Sequence, residues 1–232
     1  MARLDKHDAR YFSGCLSSSQ HWRLFREFRD SVAYLDIETT GSAGGDDVIT
    51  TIAMYDGSSV SWFIRGDNLE KFKRAASDFK LLVTYNGRCF DIPFLRKSLH
   101  MRLDQAHIDL RFVLAKLGFR GGLKGCEKQL GIDREELDGL DGYAAVLLWN
   151  EFKMHRNWGA LETLLAYNVL DAVNLERLMV TAYNLHVEKT PFAETHHMVL
   201  PQPVKNPFTP HQPTVEKIRR IMGFHQTGER FY

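Results

Sequence analysis

Asp36 and Glu38 stand two residues apart in VAYLDIETTG, residues 32–41, whose other side chains suit a buried strand. On a strand this spacing points both carboxylates to one face, about 7 Å apart along it, where like charges repel unless a cation lies between them. A further acid, Asp91, lies in VTYNGRCFDIPFL, where an apolar strand ends at Asn86 and Gly87 and a helix begins. Strand ends are where α/β sheets hold ligands. In LLAYNVLDAVNL, Tyr167 and Asp171 are four apart on a helical apolar pattern, so a phenol and a carboxylate share one face. Four carboxylates from three segments, with no cysteine or histidine required, make the ligand set of hard divalent cations such as Mg2+ or Mn2+. Two such ions about 3.5–4 Å apart can activate a water on one side of a phosphodiester and stabilise the leaving oxygen on the other. Tyr167 could then orient that water.

Each of these residues also has a plainer use. Asp36 and Glu38 could lie on a solvated strand face, Asp91 could cap the following helix, and Asp171 could be a solvated helical position. Tyr167 alone would suit a core. Asn86 could do no more than shape the turn before Gly87, and in HIDLR Asp109 is expected to cap the next helix.

Positioning such acids takes a sheet and a long helix. From Val32, the runs VAYLDI, VITTIAMYD and SSVSWFI, with DGSS as a turn between the last two, predict a three-strand meander. A lysine-bearing helix is expected in DNLEKFKRAASDF, then a strand in LLVTY that opens directly into a helix. Beyond HIDLRFVLAKLGF the segments to about residue 187 read as helices, the longest in NWGALETLLAYNVLDAVNLERLMVTAYNLH. Upstream, SSSQHWRLFREFRDS predicts a helix packed by Trp22, Phe25 and Phe28. Three consecutive strands, then strands alternating with helices, predict an α/β domain with a mixed sheet over residues 31–187, preceded by a helical extension over 1–30. Six of the seven prolines fall after residue 190. The tail, 188–232, is therefore expected to be an extended surface segment or partly disordered, with a short final helix near VEKIRRIMGF.

The chain of 232 residues, 44% hydrophobic and 25% charged, is expected to bury a sizeable core. A formal charge of +1 excludes a histone-like or acidic-tail character, so any nucleic-acid affinity must come from local patches. Arg88 to Lys128 hold nine basic residues against four acidic ones, a patch suited to a phosphate backbone, or else a set of solvated helix faces. Arg88, beside Asp91, is the strongest phosphate candidate. Phe90 and Phe94 offer stacking surfaces, with at least one expected in the core. Cys15, Cys89 and Cys126 lack CxxC spacing, and His196, His197, His211 and His225 match no usual metal pattern, so no disulfide framework or zinc site is expected. No signal-peptide core and no apolar run of about 18 residues is present, which leads to the expectation of a soluble, cytoplasmic protein without a membrane partner.

The acid-bearing stretches resemble the three exonuclease motifs of the DEDD superfamily of 3′-5′ exonucleases. LDIETTG resembles the first with Asp36 and Glu38, YNGRCFDIPFL the second with Asp91, and YNVLD the third with Asp171. The tyrosine branch carries Tyr four residues before the last Asp, where Tyr167 stands; the histidine branch carries His five before it, where this chain has Ala166. The tyrosine branch includes RNase D and the proofreading domain of polymerase I. The resemblance implies a ribonuclease-H-like three-layer α/β fold, a mixed central sheet flanked by helices. It implies two divalent cations, Mg2+ or Mn2+, held by Asp36, Glu38, Asp91 and Asp171, with Tyr167 positioning the attacking water. The resemblance also places Asn86 by the site; Thr39, Asn86, Arg88 and Phe90 are the expected nucleic-acid contacts. Over about residues 10–187, through YFSGCLSSSQHWRLF, HIDLRF, GGLKGCEKQLGI and YNVLDAVNL, the chain is also similar to the YprB-like ribonuclease-H-like domain family. The expected activity is hydrolysis of single-stranded DNA or RNA from the 3′ end. A non-catalytic nucleic-acid-binding or scaffold module of the same fold, or an endonuclease using the same acids, are the competing readings.

Overall fold

Residues 8–41 and 47–228 are described by a computed structural model. The β-rich runs after Val32 form β1 (Val32–Thr39), β2 (Ile49–Tyr55) and β3 (Val60–Ile64), the expected antiparallel meander. The turn between β2 and β3 is set by Asp56, whose Oδ1 accepts the backbone N–H groups of Ser58 (2.8 Å) and Ser59 (2.7 Å), with Gly57 at φ 92°. Aspartate and glycine suit this turn because one supplies a side-chain acceptor and the other a left-handed backbone. Strand β4 (Leu81–Thr84) pairs parallel to β1, and β5 (Ala106–Asp109) parallel to β4, giving the mixed five-stranded order β3-β2-β1-β4-β5. Residues 106–109, read from the sequence only as the lead into helices, are thus a strand. At four residues with His and Asp among them, it is too short for an alternation to register.

Helices cover both faces. One face packs α3 (Phe72–Ser77) and α4 (Asp91–Leu99) against Ala33, Leu35, Ile37 and Leu82. The other packs the N-terminal elements and α8 (Trp158–Val187) against Val32, Tyr34, Tyr55 and Val83. Odd and even positions of β1 therefore divide between the two layers, and Asp36 and Glu38 share the parity of Val32 and Tyr34, the α8 side. At the N-terminus α1 (Ala9–Cys15) precedes a 3-10 stretch, Ser18–Leu24, and the single turn α2 (Phe25–Phe28). The aromatic stripe is buried as expected, with Trp22 and Phe28 at 4% exposure and Phe25 at 0%, but on 3-10 and α turns in succession rather than one α-helix.

After β5 come α5 (Leu110–Leu117), α6 (Gly122–Gln129) and α7 (Gly142–His155), then α8, 30 residues long and the spine of the molecule. Asp109 caps α5 as the sequence suggested, accepting the Arg111 N–H (3.1 Å). Downstream lie α9 (Ala193–His196) and α10 (Gln212–Gly228), the latter longer than the short final helix expected. The proline-bearing stretch between them is extended and docked. Asn184 of α8 pairs with both backbone groups of Met198 (2.8 and 2.9 Å), Asn206 donates to the Ala166 carbonyl (2.7 Å), and the His211 N–H reaches Thr163 Oγ1 (2.9 Å). No helix among the described residues is long and apolar enough to cross a membrane.

Candidate active site

Strand β1 pairs with β4 only through Tyr34, opposite Val83, whereas its pairing with β2 continues to Thr39. The far end of β1 therefore extends past its parallel neighbour, and a cavity of about 500 Å³ opens at the carboxyl end of the parallel strands. Asp36, Glu38, Asn86, Phe90, Asp91, Arg111, Arg120, Tyr167 and Asp171 are among its lining.

Asp36 and Glu38 face α8, and Asp171 comes down from α8 to meet them. Carboxylate oxygens of the three lie within 4.8 Å of one another. Asp171 is buried at 5% exposure rather than solvated, and Tyr167, one turn earlier on the same face, is buried at 2%. Asp91 lies outside that 4.8 Å group but reaches the cluster electrostatically, its charge acting on both Asp36 and Glu38. It is the first residue of α4, and it makes no helix cap; Phe90 occupies the cap position. Its carboxyl accepts its own N–H and that of Ile37, one of the β1 residues beyond the pairing with β4.

The electrostatics are those of acids crowded out of water. Burial, then the charges of Asp171, Glu38 and Asp91, hold the Asp36 carboxyl well above its ordinary range; a hydrogen bond from Asn168 Nδ2 (2.7 Å) opposes them. Glu38 is raised by burial and then by Asp171, with Lys124 and Arg134 pulling the other way. Burial pushes Asp91 up to about 7. The Tyr167 phenol is held well above its ordinary value by burial and by the Asp171 and Glu38 charges, so it is a neutral hydroxyl. Close, desolvated oxygen donors with raised proton affinity are the environment that a hard divalent cation relieves, and the donor set, free of thiol and imidazole, fits such an ion.

The loop carrying Asp91 is itself braced. Asn86 adopts φ 64° before Gly87, the turn role suggested by the sequence, and its Oδ1 accepts from Arg111 (2.6 Å). Asp109 does more than cap α5: its two oxygens also take the backbone N–H groups of Asn86 (2.8 Å) and Arg88 (3.0 Å). Gly87 packs against Thr84, whose hydroxyl accepts the Gly87 N–H (3.1 Å) and pairs with His107 Nε2 (2.9 Å). Phe90 is exposed at the cavity with its ring tilted against that of Phe94, which is partly buried against the α3–α4 layer. The other two residues expected at nucleic acid stand apart from the lining: Arg88 is exposed on the loop, and Thr39 is buried at the end of β1, past an irregularity in its pairing with β2.

Three side chains at the site were not singled out from the sequence. Asn168, adjacent to Tyr167, donates to both the carboxylate and the backbone carbonyl (3.1 Å) of Asp36. A polar residue inside an apolar helical run was its only signal. Lys124 of α6 donates to the Tyr167 hydroxyl and lies over its ring at 4.5 Å. Arg134, in the loop after α6, is 5% exposed and ion-paired to Asp171 and to Glu127 (2.6 Å). Neither basic residue differs in sequence context from its solvated counterparts.

A family model described as RNase_H_2, of the RNase_H superfamily, matches residues 33–183. Among solved structures, the chain is similar to the family B DNA polymerase from the hyperthermophilic archaeon Pyrobaculum calidifontis, at 16% identity and a TM-score of 0.43. That likeness covers 67% of this chain and 29% of the polymerase, so the chain spans under a third of that protein's length. A comparison with curated proteins gave no match. Because the family match runs from β1 into the last turns of α8, through every acid of the cavity, the chain belongs to the RNase_H_2 family of the ribonuclease H superfamily, and its fold is of the nuclease type.

Proposed function

We propose that this protein is a metal-dependent 3′-5′ exonuclease of the tyrosine type that removes nucleotides from the 3′ end of single-stranded DNA or RNA. The observation that carries the reading is the meeting of Asp36, Glu38 and Asp171 within 4.8 Å, in a cavity that Tyr167 and Asp91 also line. In this reading Asp36, Glu38, Asp91 and Asp171 hold two Mg2+ or Mn2+ ions. When bound, such ions supply Lewis-acid stabilisation of charge on the phosphodiester oxygens.

The chain's own residues do the rest. Asn168 fixes the Asp36 carboxylate against α8, and the Asp109-braced loop sets Asp91 opposite it. Tyr167, a neutral hydroxyl held by Lys124, orients the attacking water; the same contact places a positive charge beside the phosphates. Arg111 and Arg120 on the cavity wall steer the negatively charged strand in, and Phe90 offers a ring for the terminal base. The leaving product is a nucleoside monophosphate.

The test is incubation with 5′-labelled single-stranded DNA and RNA under Mn2+, Mg2+ or EDTA, beside Asp36→Ala and Tyr167→Phe. A ladder shortening from the 3′ end, metal-dependent and absent in Asp36→Ala, is the expected result. Asp36→Ala should remain folded, because it removes one member of a repelling cluster. Cleavage of a circular single strand would turn the reading to an endonuclease; binding without any cleavage would turn it to a scaffold.

A further inference from the structure

Asp171 is a proposed ligand with a resident counter-charge. Arg134 donates one guanidinium nitrogen to Asp171 Oδ1 and the other terminal nitrogen to Glu127 Oε2 (2.6 Å), while Glu127 Oε1 accepts from Asn174 Nδ2 (2.8 Å). Arg134 is 5% and Glu127 0% exposed, so this chain of contacts runs inside the protein, not across its surface. Its anchor, Asn174, lies on the same helix as Asp171, three residues on. The guanidinium also lies 5.5 Å from the Tyr167 ring centre, and its Nε has no hydrogen-bond partner. A planar fork held at both prongs is a rigid orienting device, unlike a lysine's point charge.

The geometry points to Arg134 as the positioning residue for Asp171. With Glu127 behind it, it fixes Oδ1 and leaves Oδ2 as the oxygen available for a divalent cation. This rests on the metal-dependent reading above. Without Arg134 the Asp171 carboxylate loses the contact that sets its χ2, and the acid cluster loses one of the two positive charges, with Lys124, that compensate it.

Mn2+ affinity, read by calorimetry or by the electron paramagnetic resonance of free Mn2+, tests the assignment without any turnover. Arg134→Met should weaken Mn2+ binding about 10–100-fold, the usual effect of losing a partner that orients a ligand. Arg134→Lys should restore only part of it. Asn184→Ala, which loosens the tail far from the acids, serves as a destabilised control and should keep wild-type affinity. If Arg134→Met does not fold, Glu127→Gln decides: it keeps the contact to Asn174, releases the rear charge on Arg134, and should weaken Mn2+ several-fold. Unchanged or tighter Mn2+ binding in a folded Arg134 or Glu127 variant overturns the positioning role while leaving the exonuclease reading standing. Failure of the wild type to bind Mn2+ overturns both.

Discussion

Replacing Asp91 with asparagine should stabilise the metal-free protein, and by an amount that depends on pH. Asp91 is 4% exposed, and burial raises its carboxyl from 3.8 to about 7. Because the folded value lies above the unfolded one, the ionised form is the disfavoured one. The contribution of Asp91 to stability therefore falls as pH rises from about 4 to 7 and stays low above that. At about 1.4 kcal/mol for each tenfold in the proton equilibrium, full ionisation costs about 4 kcal/mol. Asparagine keeps an acceptor for the Ile37 N–H without the charge, so in EDTA at about pH 8 it should gain most of that figure. At about pH 5 only about 1.5 kcal/mol is at stake. Urea denaturation of both proteins at the two pH values measures the difference. A variant no more stable than wild type at the higher pH, or a gain equal at both, would refute the reasoning. Saturating Mn2+ should reverse the order, since the cation then favours the charged form.

Other outcomes follow from the supports of the site. A Cβ on Gly87 would sit 2.6 Å from Thr84 Cβ and 2.9 Å from its Cγ2, so Gly87→Ala must push the Asn86–Phe90 loop aside. We expect a loss of about 1–3 kcal/mol in denaturation and a nuclease rate that falls further than stability does; an unchanged rate would show the loop does not set Asp91. Asn184→Ala strands the N–H and C=O of Met198, both buried, and should cost about 2–4 kcal/mol. Limited proteolysis should then cut near residues 197–200, and continued resistance there would count against the docking. Tyr167→Phe should keep the fold and lower kcat without raising KM, as the proposed water-orienting role requires.

Much of the site could be read from local periodicity alone. Two-residue spacing on β1 put Asp36 and Glu38 on one face, and four-residue spacing on α8 did the same for Tyr167 and Asp171; both depend only on backbone geometry over a few residues. The meander, the β4-to-helix step and the long helix were legible for the same reason. Strand β5 was not, because its extension is imposed by β4 and not by its own four residues. The N-terminal stripe showed which rings are buried but not the 3-10 turns that bury them. Arg134 lies 37 residues from the acid it holds, and Asn168 lies 132 residues from Asp36, distances at which no local pattern operates. The tail is extended only between α9 and α10, where most of its prolines fall, and its docking depends on Asn184, Ala166 and Thr163 of a helix far upstream.

That 132-residue separation also bears on the order of assembly. The meander can close through neighbouring strands, so Asp36 and Glu38 can be in place while Asp171 is still distant along the chain. Bringing α8 onto β1 closes a long loop, and that is the step at which the like charges first meet. The electrostatic cost then falls on that docking step, and a divalent cation that relieves it has no complete binding place until the docking is made. Added Mn2+ should accordingly lengthen the life of the native state, through a slower unfolding rate, and leave the refolding rate nearly unchanged.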